Sequence, residues 1–302
     1  MLAGLPAAVS AQDMPRVRLA MNETDVTAVV NYADVRGDFT AAGLAVSIIV
    51  VANGPAVIAA VLGGSADIGA SNMGSLAIAR ARGLPVKVFA PVGLADKSAT
   101  GDLIVVRQDS PIRTAADMNG KIVGIAGLKT LQQAIAMGWI DRFGGDARSV
   151  KFIETPFSEM GPALDQKRID VALIDEPFTT LLRPSVRSIG SQFDGMTLPF
   201  PIYGFFATET YLQNNGAAVS RFTSAIRQAA LWGNTHHKES GAIVASYTKL
   251  DPAVIDKMAR MTYGTKTPID PAEIRPLIDG LVKYGMMPQP IDPADLLWPS
   301  AR

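Results

Sequence analysis

The sequence predicts an α/β protein built from two Rossmann-like lobes, and two observations support this prediction. A helix–turn–strand unit occurs twice, because residues 60–72 align without a gap with residues 163–175, so that Asn72 matches Asp175. Short apolar runs also alternate with segments of helical spacing, which is typical of an α/β fold. We therefore expect two similar lobes, the alternative being two unrelated units that share a common pattern.

The first copy shows how each part of the unit is interpreted. Apolar residues at helical spacing predict a helix that ends at Gly63-Gly64, because glycine adopts the left-handed C-cap conformation without steric cost. The short apolar run at 67–70 then predicts an interior strand. Asp67 and its counterpart Asp170 precede the two buried strands, and we expect them to fix the turn rather than to bind a ligand.

The same signals place the other elements in order along the chain. Strands are predicted at residues 16–21, 44–51, 86–90, 103–106, 121–126, 150–153 and 200–208. Helices are predicted at residues 25–35, 130–143 and 157–167, and later at 219–233, 243–248, 252–261 and 271–286. The tail after Pro288 is expected to pack as an extended strap.

The order of these elements takes the chain from lobe one to lobe two and back. Lobe one is predicted to cover residues 12–101 and 206–302, and lobe two residues 102–205. The helical C-terminal segment is expected to pack on lobe one. This double crossover, near Gly101 and near Tyr203, predicts a hinge, with a ligand held between the lobes.

The composition limits the possible functions. With 302 residues, 48% apolar and 19% charged, the chain is long enough for two domains with large cores. The 28 basic residues balance the 28 acidic ones, which disfavours binding to nucleic acid or an anionic membrane. The absence of cysteine excludes disulfides, thiolate metal sites and a cysteine nucleophile. Adjacent helical side chains, such as His236 and His237, point about 100° apart, so we expect no metal site. The Gly63-Gly64 turn lacks the Lys-Ser/Thr of a phosphate loop and no GxGxxG follows a strand, so we expect no cofactor.

Polar residues at the predicted strand ends are the candidate ligand contacts, because ligands of open α/β sheets bind there. These candidates are Asn22, Glu23, Thr24, Asn53, Gly54, Ser71 and Asn72 in lobe one, and Asp175 and Glu176 in lobe two. Their alternative role is to cap the helices that follow. Phe157 and Tyr203 are aromatic candidates, with a place in the core as the alternative.

Seven short stretches together carry a resemblance to a known family. They are Gly64–Gly69, Arg82–Val86, Asp109–Ile112, Asp117–Gly124, Ala163–Leu164, Ile169–Ala172 and Glu176–Phe178. In order and spacing they resemble the periplasmic substrate-binding proteins of ABC importers, in the group typified by sulfonate, taurine and nitrate binding and by the NMT1/THI5-like domain. The resemblance implies the type II periplasmic-binding-protein fold and a monomer that delivers a small molecule to a membrane permease, without catalysis.

The resemblance also implies site residues in lobe two. In sulfonate binders the first helix of this lobe starts at a Gly-Ser-type turn, whose backbone N–H groups bind the anion. The corresponding turn here, residues 126–130, lacks that pattern, but Gly127 and Thr130 are candidates. The acids at the strand ends disfavour a bare anion. A sulfonate, a carboxylate, a pyrimidine-like molecule and a zwitterion therefore all stay open as ligands.

Two other classes of function compete with the binding role. Enzymes on a similar scaffold make a thiamine pyrimidine or process menaquinone precursors. The pyrimidine synthases carry a cysteine-rich motif and an active-site histidine, whereas this chain has no cysteine and both of its histidines lie in the late helical segment. The third class is a sensor domain that serves a membrane receptor.

The N-terminal residues predict export. Leu2 to Val9 form an apolar run, and Val9-Ser10-Ala11 fits a small-residue cleavage site, so residues 1–11 are interpreted as the remnant of a secretory signal. An apolar terminus without a signal function is the alternative. N-terminal sequencing of the periplasmic protein is expected to start near Gln12, and a full-length cytosolic product would contradict the prediction.

Overall fold

The computed structural model describes residues 14–96, 100–196, 198–248 and 250–299, so the predicted signal remnant lies outside the described residues. The strands are β1 (Arg16–Met21), β2 (Ala45–Val50), β3 (Ile68–Asn72), β4 (Val86–Pro91), β5 (Gly93–Ala95), β6 (Leu103–Arg107), β7 (Ile122–Ile125), β8 (Lys151–Glu154), β9 (Val171–Ile174), β10 (Val186–Ser191), β11 (Phe200–Pro201), β12 (Tyr203–Thr208) and β13 (Thr262–Tyr263).

Thirteen α-helices are found in the described residues. They are α1 (Ala28–Val35), α2 (Asp38–Ala41), α3 (Gly54–Leu62), α4 (Met73–Ala81), α5 (Leu131–Arg142), α6 (Phe157–Asp165), α7 (Phe178–Leu182), α8 (Glu209–Asn214), α9 (Gly216–Gly233), α10 (His237–Thr248), α11 (Pro252–Ile255), α12 (Pro271–Lys283) and α13 (Pro293–Leu296). Three 3-10 helices lie at Asp25–Thr27, Ala116–Met118 and Gln192–Gly195.

Two five-stranded sheets share one topology. The first has the order β2-β1-β3-β12-β4, and the second has the order β8-β7-β9-β6-β10. In both sheets the first three strands are parallel and the fourth is antiparallel to its neighbours. The matching order confirms the prediction of two similar α/β lobes. A small third sheet, β11-β5-β13, lies where the chain passes between them.

Equivalent hydrogen bonds join equivalent strands in the two lobes. Oδ2 of Asp67 accepts from the backbone N–H of Arg18 at 2.8 Å, and Oδ2 of Asp170 accepts from that of Ile122 at 2.9 Å. The backbone N–H of Asp67 also donates to the carbonyl of Arg18, and that of Asp170 to the carbonyl of Ile122, both at 2.8 Å. These two acids therefore hold the start of β3 against β1 and the start of β9 against β7, as expected for residues that fix the turn.

The return crossing lies earlier than the predicted lobe boundary. Strand β11 pairs within the small sheet and β12 pairs within the first sheet. Residues 200–205, which the sequence assigns to lobe two, therefore lie with lobe one. The tail after Pro288 is also not wholly extended, because it contains α13. After that helix, the backbone N–H of Trp298 donates to the carbonyl of Val88 at 2.7 Å.

The cores show how the lobes meet. One apolar cluster joins the first sheet to the late helices, and the second lobe has separate clusters on the two faces of its sheet. Leu131, Ala134 and Ile135 belong to α5 of lobe two but pack into the cluster of lobe one. The start of α5 therefore closes against the first lobe.

The aspartate of the first repeat generates a stability prediction. Asp67→Ala removes an acceptor from a strand N–H and from the Arg18 guanidinium, and we expect a loss of about 2 kcal/mol in the free energy of unfolding. Urea denaturation measures this loss. Asp109→Ala is the control, because Asp109 is exposed and water screens its ion pair with Arg107, so this variant is expected to lose less stability than Asp67→Ala. Equal midpoints for the two variants would contradict the prediction.

Candidate functional site

A cleft opens between the lobes where the strand ends of the two sheets face each other. Its empty space, with the open mouth included, is about 530 Å³. The described residues that line it are Asn22, Ala52, Asn53, Gly54, Asn72, Asp102, Ala126, Gly127, Thr130, Leu131, Gln132, Ile135, Phe157, Asp175, Gln192, Phe193, Ile202 and Tyr203. The walls thus combine apolar and aromatic side chains with amides and two carboxyl groups.

Nine of the thirteen residues predicted as ligand contacts line this cleft. They are Asn22, Asn53, Gly54, Asn72, Gly127, Thr130, Phe157, Asp175 and Tyr203. Both lobes contribute, as the strand-end rule for α/β sheets requires. Contact of these residues with a ligand stays a prediction.

The other four predicted residues do not line the cleft. Ser71 is fully buried behind Gly54, where a Cβ atom built on that glycine would lie 2.7 Å from the Ser71 hydroxyl oxygen. Thr24 is buried at the start of a 3-10 helix, and its carbonyl accepts from the N–H of Thr27 at 3.2 Å. Glu23 is partly buried, which raises its pKa.

Glu176, the fourth of these residues, is held by the hinge region. Its carboxylate accepts from the N–H of Thr180 at 3.0 Å, from the Thr180 hydroxyl at 2.8 Å and from the N–H of Ala259 at 3.3 Å. The carbonyl of Glu176 accepts from the N–H of Asp25 at 3.1 Å. This residue therefore joins lobe two to two segments of lobe one.

Asn72 combines the two roles between which the sequence could not decide. Its Oδ1 atom accepts from the N–H of Ser75 at 2.8 Å, which caps α4. The same atom lies 3.4 Å from the backbone nitrogen of Leu131, a donor at the start of α5 in the other lobe. One side chain thus caps a helix and bridges the lobes at the floor of the cleft.

Asn53 forms a second bridge between the lobes. Its Oδ1 atom caps α3 through the N–H of Ala56 at 3.1 Å. Its Nδ2 atom donates to Glu154 in the second sheet at 3.2 Å. The next residue is Gly54, where a Cβ atom would lie 2.4 Å from Nδ2 of Asn72, so a larger residue there would displace the first bridge.

Buried Asp102 and partly buried Asp175 form an acid pair beside Gln192. The backbone N–H of Gln192 donates to the Asp102 carbonyl at 2.9 Å, and its Nε2 atom donates to Oδ1 of Asp175 at 3.0 Å. Gln132 donates to the same Oδ1 at 3.3 Å. Burial raises the pKa of Asp175 to about 7, with a smaller contribution from Glu176. Burial and then the charge of Asp175 raise the pKa of Asp102 well above its usual value.

A buried acceptor without a partner lies near this pair. Asn22 is 5% exposed, and its Oδ1 atom has no hydrogen-bond partner. Tyr203 lies close to Asn22, and burial raises the pKa of the Tyr203 hydroxyl, with Asn22 and Asn72 acting in the opposite direction. Among the described residues that line the cleft there is no lysine, arginine or histidine. The polar part of the cleft is therefore rich in acceptors.

Sequence reasoning missed several residues of the cleft, above all Asp102, Gln132 and Gln192. Asp102 follows the predicted crossing at Gly101, and this position is the signal that could have identified it. Gln192 lies in the sequence Ser-Gln-Phe-Asp, which forms a capping box around a short 3-10 helix. Gln132 lies in the first turn of α5, a position that sequence alone does not distinguish from a solvent-facing one.

Within residues 14–96, 100–196, 198–248 and 250–299, no group of three or more His, Cys, Asp or Glu residues is arranged to hold a metal ion. None of the helices described there is both long enough and apolar enough to cross a membrane.

Two α/β lobes with a double crossover and a shared cleft define the class of two-lobed binding proteins. Residues 24–240 match the family model described as NMT1/THI5 like, so the chain belongs to the NMT1/THI5-like family. This result confirms the family that the sequence stretches predicted. A Brucella abortus (strain 2308) protein, whose name describes it as a binding protein, is 23% identical over 287 residues, which are 90% of this chain and 85% of that protein.

Solved structures share the fold at low sequence identity. The alkanesulfonate-binding protein SsuA from Xanthomonas axonopodis pv. citri, bound to MOPS, is 17% identical with a TM-score of 0.81, over 97% of this chain and 99% of its own. The periplasmic nitrate-binding protein NrtA from Synechocystis PCC 6803 is 12% identical with a TM-score of 0.78, over 93% and 84%. These relatives carry names of binding proteins, in agreement with the predicted role.

The acid pair generates a prediction about pH and stability. The folded state keeps the proton of Asp175 up to about pH 7, whereas the unfolded chain releases it near pH 4, so the free energy of unfolding falls as the pH rises between these values. Asp175→Asn is expected to flatten this slope and to stabilise the protein by on the order of 2 kcal/mol at pH 8, with little effect at pH 4.

Thermal denaturation between pH 4 and pH 8 tests this prediction. Asp165→Asn is the matched control, because Asp165 is exposed in the same lobe and its described hydrogen bond uses only its backbone carbonyl. A variant at position 175 with the same pH slope as the wild type would show that Asp175 is ionised in the folded state at neutral pH.

Proposed function

We propose that this chain is the solute-binding component of an ABC import system, which holds a small organic molecule between its lobes and delivers it to a membrane permease. The observation that carries the proposal is the cleft itself, to which strand ends and helix starts of both lobes contribute. Membership of the NMT1/THI5-like family and the shared fold of the sulfonate- and nitrate-binding proteins support it. The proposal includes export to the periplasm and action as a monomer.

Closure of the lobes on the ligand is the mechanism that this geometry supports. Contacts across the cleft, from Asn72 to Leu131 and from Asn53 to Glu154, exist only when the lobes are close. A ligand that touches both lobes adds to these contacts and shifts the equilibrium toward the closed form. The hinge contacts of Glu176 keep the lobes attached during the motion. An affinity near micromolar corresponds to about −8 kcal/mol.

An enzymatic role on the same fold is the competing hypothesis. Among the described residues of the cleft, the acid pair is the arrangement that resembles catalytic chemistry. No described histidine, lysine or arginine lines the cleft to act with it, however, and the chain has no cysteine. The arrangement therefore favours retention of an unchanged ligand.

Native mass spectrometry tests the binding role. The protein is incubated with a deproteinised bacterial extract, freed of unbound molecules, and analysed for retained small molecules. We expect one class of ligand to be retained by the wild type, and at least tenfold less of it by Asn72→Ala, because this variant loses a cleft side chain that bridges the lobes. Asn214→Ala, at an exposed position far along the chain, is the control and is expected to retain the ligand.

The absence of cysteine provides a second readout. Introduced cysteines at Ala59 in α3 and Ser158 in α6, both exposed, carry a fluorescent donor and acceptor on opposite lobes. Ligand addition is expected to raise energy transfer in the wild-type background and not with Asn72→Ala. Retention of no small molecule, or conversion of the ligand to a new product, would contradict the proposed function.

A further inference from the structure

The polar surface of the cleft offers acceptors to a ligand. Oδ1 of Asn22 is buried and without a partner, and the carboxyl groups of Asp102 and Asp175 lie in the same cleft. Gln132 and Gln192 both donate to Oδ1 of Asp175, and they hold this carboxyl group in place. A buried acceptor without a donor costs about 1–3 kcal/mol, so this surface is suited to a ligand that brings N–H or O–H groups.

Four N–H groups at the turn that could donate to an anion already face side chains of this chain. The N–H of Ala126 donates to Gln132 at 2.8 Å, and the N–H of Lys129 donates to Gln133 at 2.7 Å. The N–H of Leu128 faces Glu154 at 3.5 Å, and the N–H of Leu131 faces Asn72 at 3.4 Å. To use these four N–H groups, a sulfonate or carboxylate would have to displace their present acceptors, one of which is itself a carboxylate.

No basic side chain of the described cleft lining balances the negative charge that Asp102 and Asp175 carry when ionised. None lines the described part of the cleft, and the Arg260 guanidinium is paired with Asp25 at 3.1 Å. An anionic ligand would therefore meet like charge or force both carboxyl groups to stay protonated. A cationic ligand would instead supply the counter-charge that the acid pair lacks.

We propose that the cleft takes a ligand with a cationic nitrogen group that carries several N–H donors, such as an amidinium or an ammonium, attached to a small apolar body. This inference rests on the proposed binding function and assigns the chemical class of its ligand. The nitrogen group lies against Asp175, Asp102 and Asn22. The apolar body packs against Phe157, Phe193 and Ile202, which form the apolar side of the same cleft.

Binding of such a cation is coupled to proton release. The titratable groups that face the acid pair are Asp25, Glu176 and Tyr203, and Arg260 contacts the first of them. Because burial holds protons on the acid pair near neutral pH, the cation must displace a proton to form its ion pair. Affinity is therefore expected to rise by up to about tenfold per pH unit between pH 6 and pH 7.

Four compounds with one phenyl body separate the possibilities by calorimetry at pH 7.5. Benzamidine presents a cation with N–H donors, benzamide a neutral amide, and benzoate and benzenesulfonate two anions. We expect benzamidine to bind at least tenfold more tightly than each of the others. Its affinity is expected to fall at least tenfold with Asp175→Asn and to stay unchanged with the exposed control Asp165→Asn. Its binding heat is expected to differ between phosphate and Tris buffers, because a released proton is taken up by the buffer.

Each other outcome rejects the assignment of ligand class. Tighter binding of benzoate or benzenesulfonate would show an anion site and leave the binding role intact. Binding of benzamide with the same affinity as benzamidine would show that the two acids stay protonated and hydrogen-bond to the ligand as neutral groups. Weak binding of all four would reject the cationic class as stated, and ligand retention in the mass spectrometric experiment then decides separately whether the binding function stands.

Discussion

The close approach of two helix starts, at Asn72 in one lobe and Leu131 in the other, is the constraint on which the cleft depends. A Cβ atom on Gly74 would lie 2.8 Å from the backbone nitrogen of Leu131, and one on Gly54 would lie 2.4 Å from Nδ2 of Asn72. Only glycine at these two positions lets α3, α4 and α5 meet without displacement. The apolar side of the same contact is formed by the start of α5, which packs into the core of lobe one. The closed arrangement thus depends on two residues without a side chain as well as on the side-chain contacts between the lobes.

A second buried network lies at the hinge, where Glu176 contacts lobe one. Asp25 is 4% exposed, and it accepts from Arg260 at 3.1 Å and from the N–H of Met261 at 2.6 Å. Tyr263 donates to the carbonyl of Asp25 at 3.0 Å. Because loss of one partner leaves a buried charge uncompensated, such a pair is costly to break, by about 3–5 kcal/mol. Glu176 of lobe two forms hydrogen bonds with Asp25 and Ala259, which lie in the two segments that the Asp25–Arg260 ion pair joins. The hinge is therefore attached to this ion-pair network.

The fold could be predicted from the sequence because its signals are local and repeated. Gly63-Gly64, the apolar run of β3 and the matching unit around Asp170 specify helix ends and strands within a few residues. The strand-end rule also brought together Asn72 and Asp175, which lie 103 positions apart in sequence. These are consequences of backbone geometry, and they need no knowledge of the partner lobe.

The rest of the site depends on contacts that no local pattern records. The sequence gives no sign that Gln192, after β10, reaches back to Asp175, or that Glu176 turns to Ala259 instead of the cleft. Ser71 is as polar as Asn72, and a Cβ atom on Gly54 would contact both side chains, but Ser71 is fully buried and only Asn72 lines the cleft. Two adjacent polar residues at a strand end thus differ in their access to the cleft, and the packing of the neighbouring helix determines this difference.

The repeated unit also explains why the charge of the cleft is uneven. At the end of β3, the amide of Asn72 caps the helix that follows directly, through Ser75. At the equivalent end of β9, the helix starts later, and the capping contacts to Thr180 come from Glu176 instead. Asp175 is thereby released from helix capping, and its carboxyl group is held by two glutamines in the cleft. A shift of one residue in the capping position therefore places an acid, rather than a neutral cap, in the cleft.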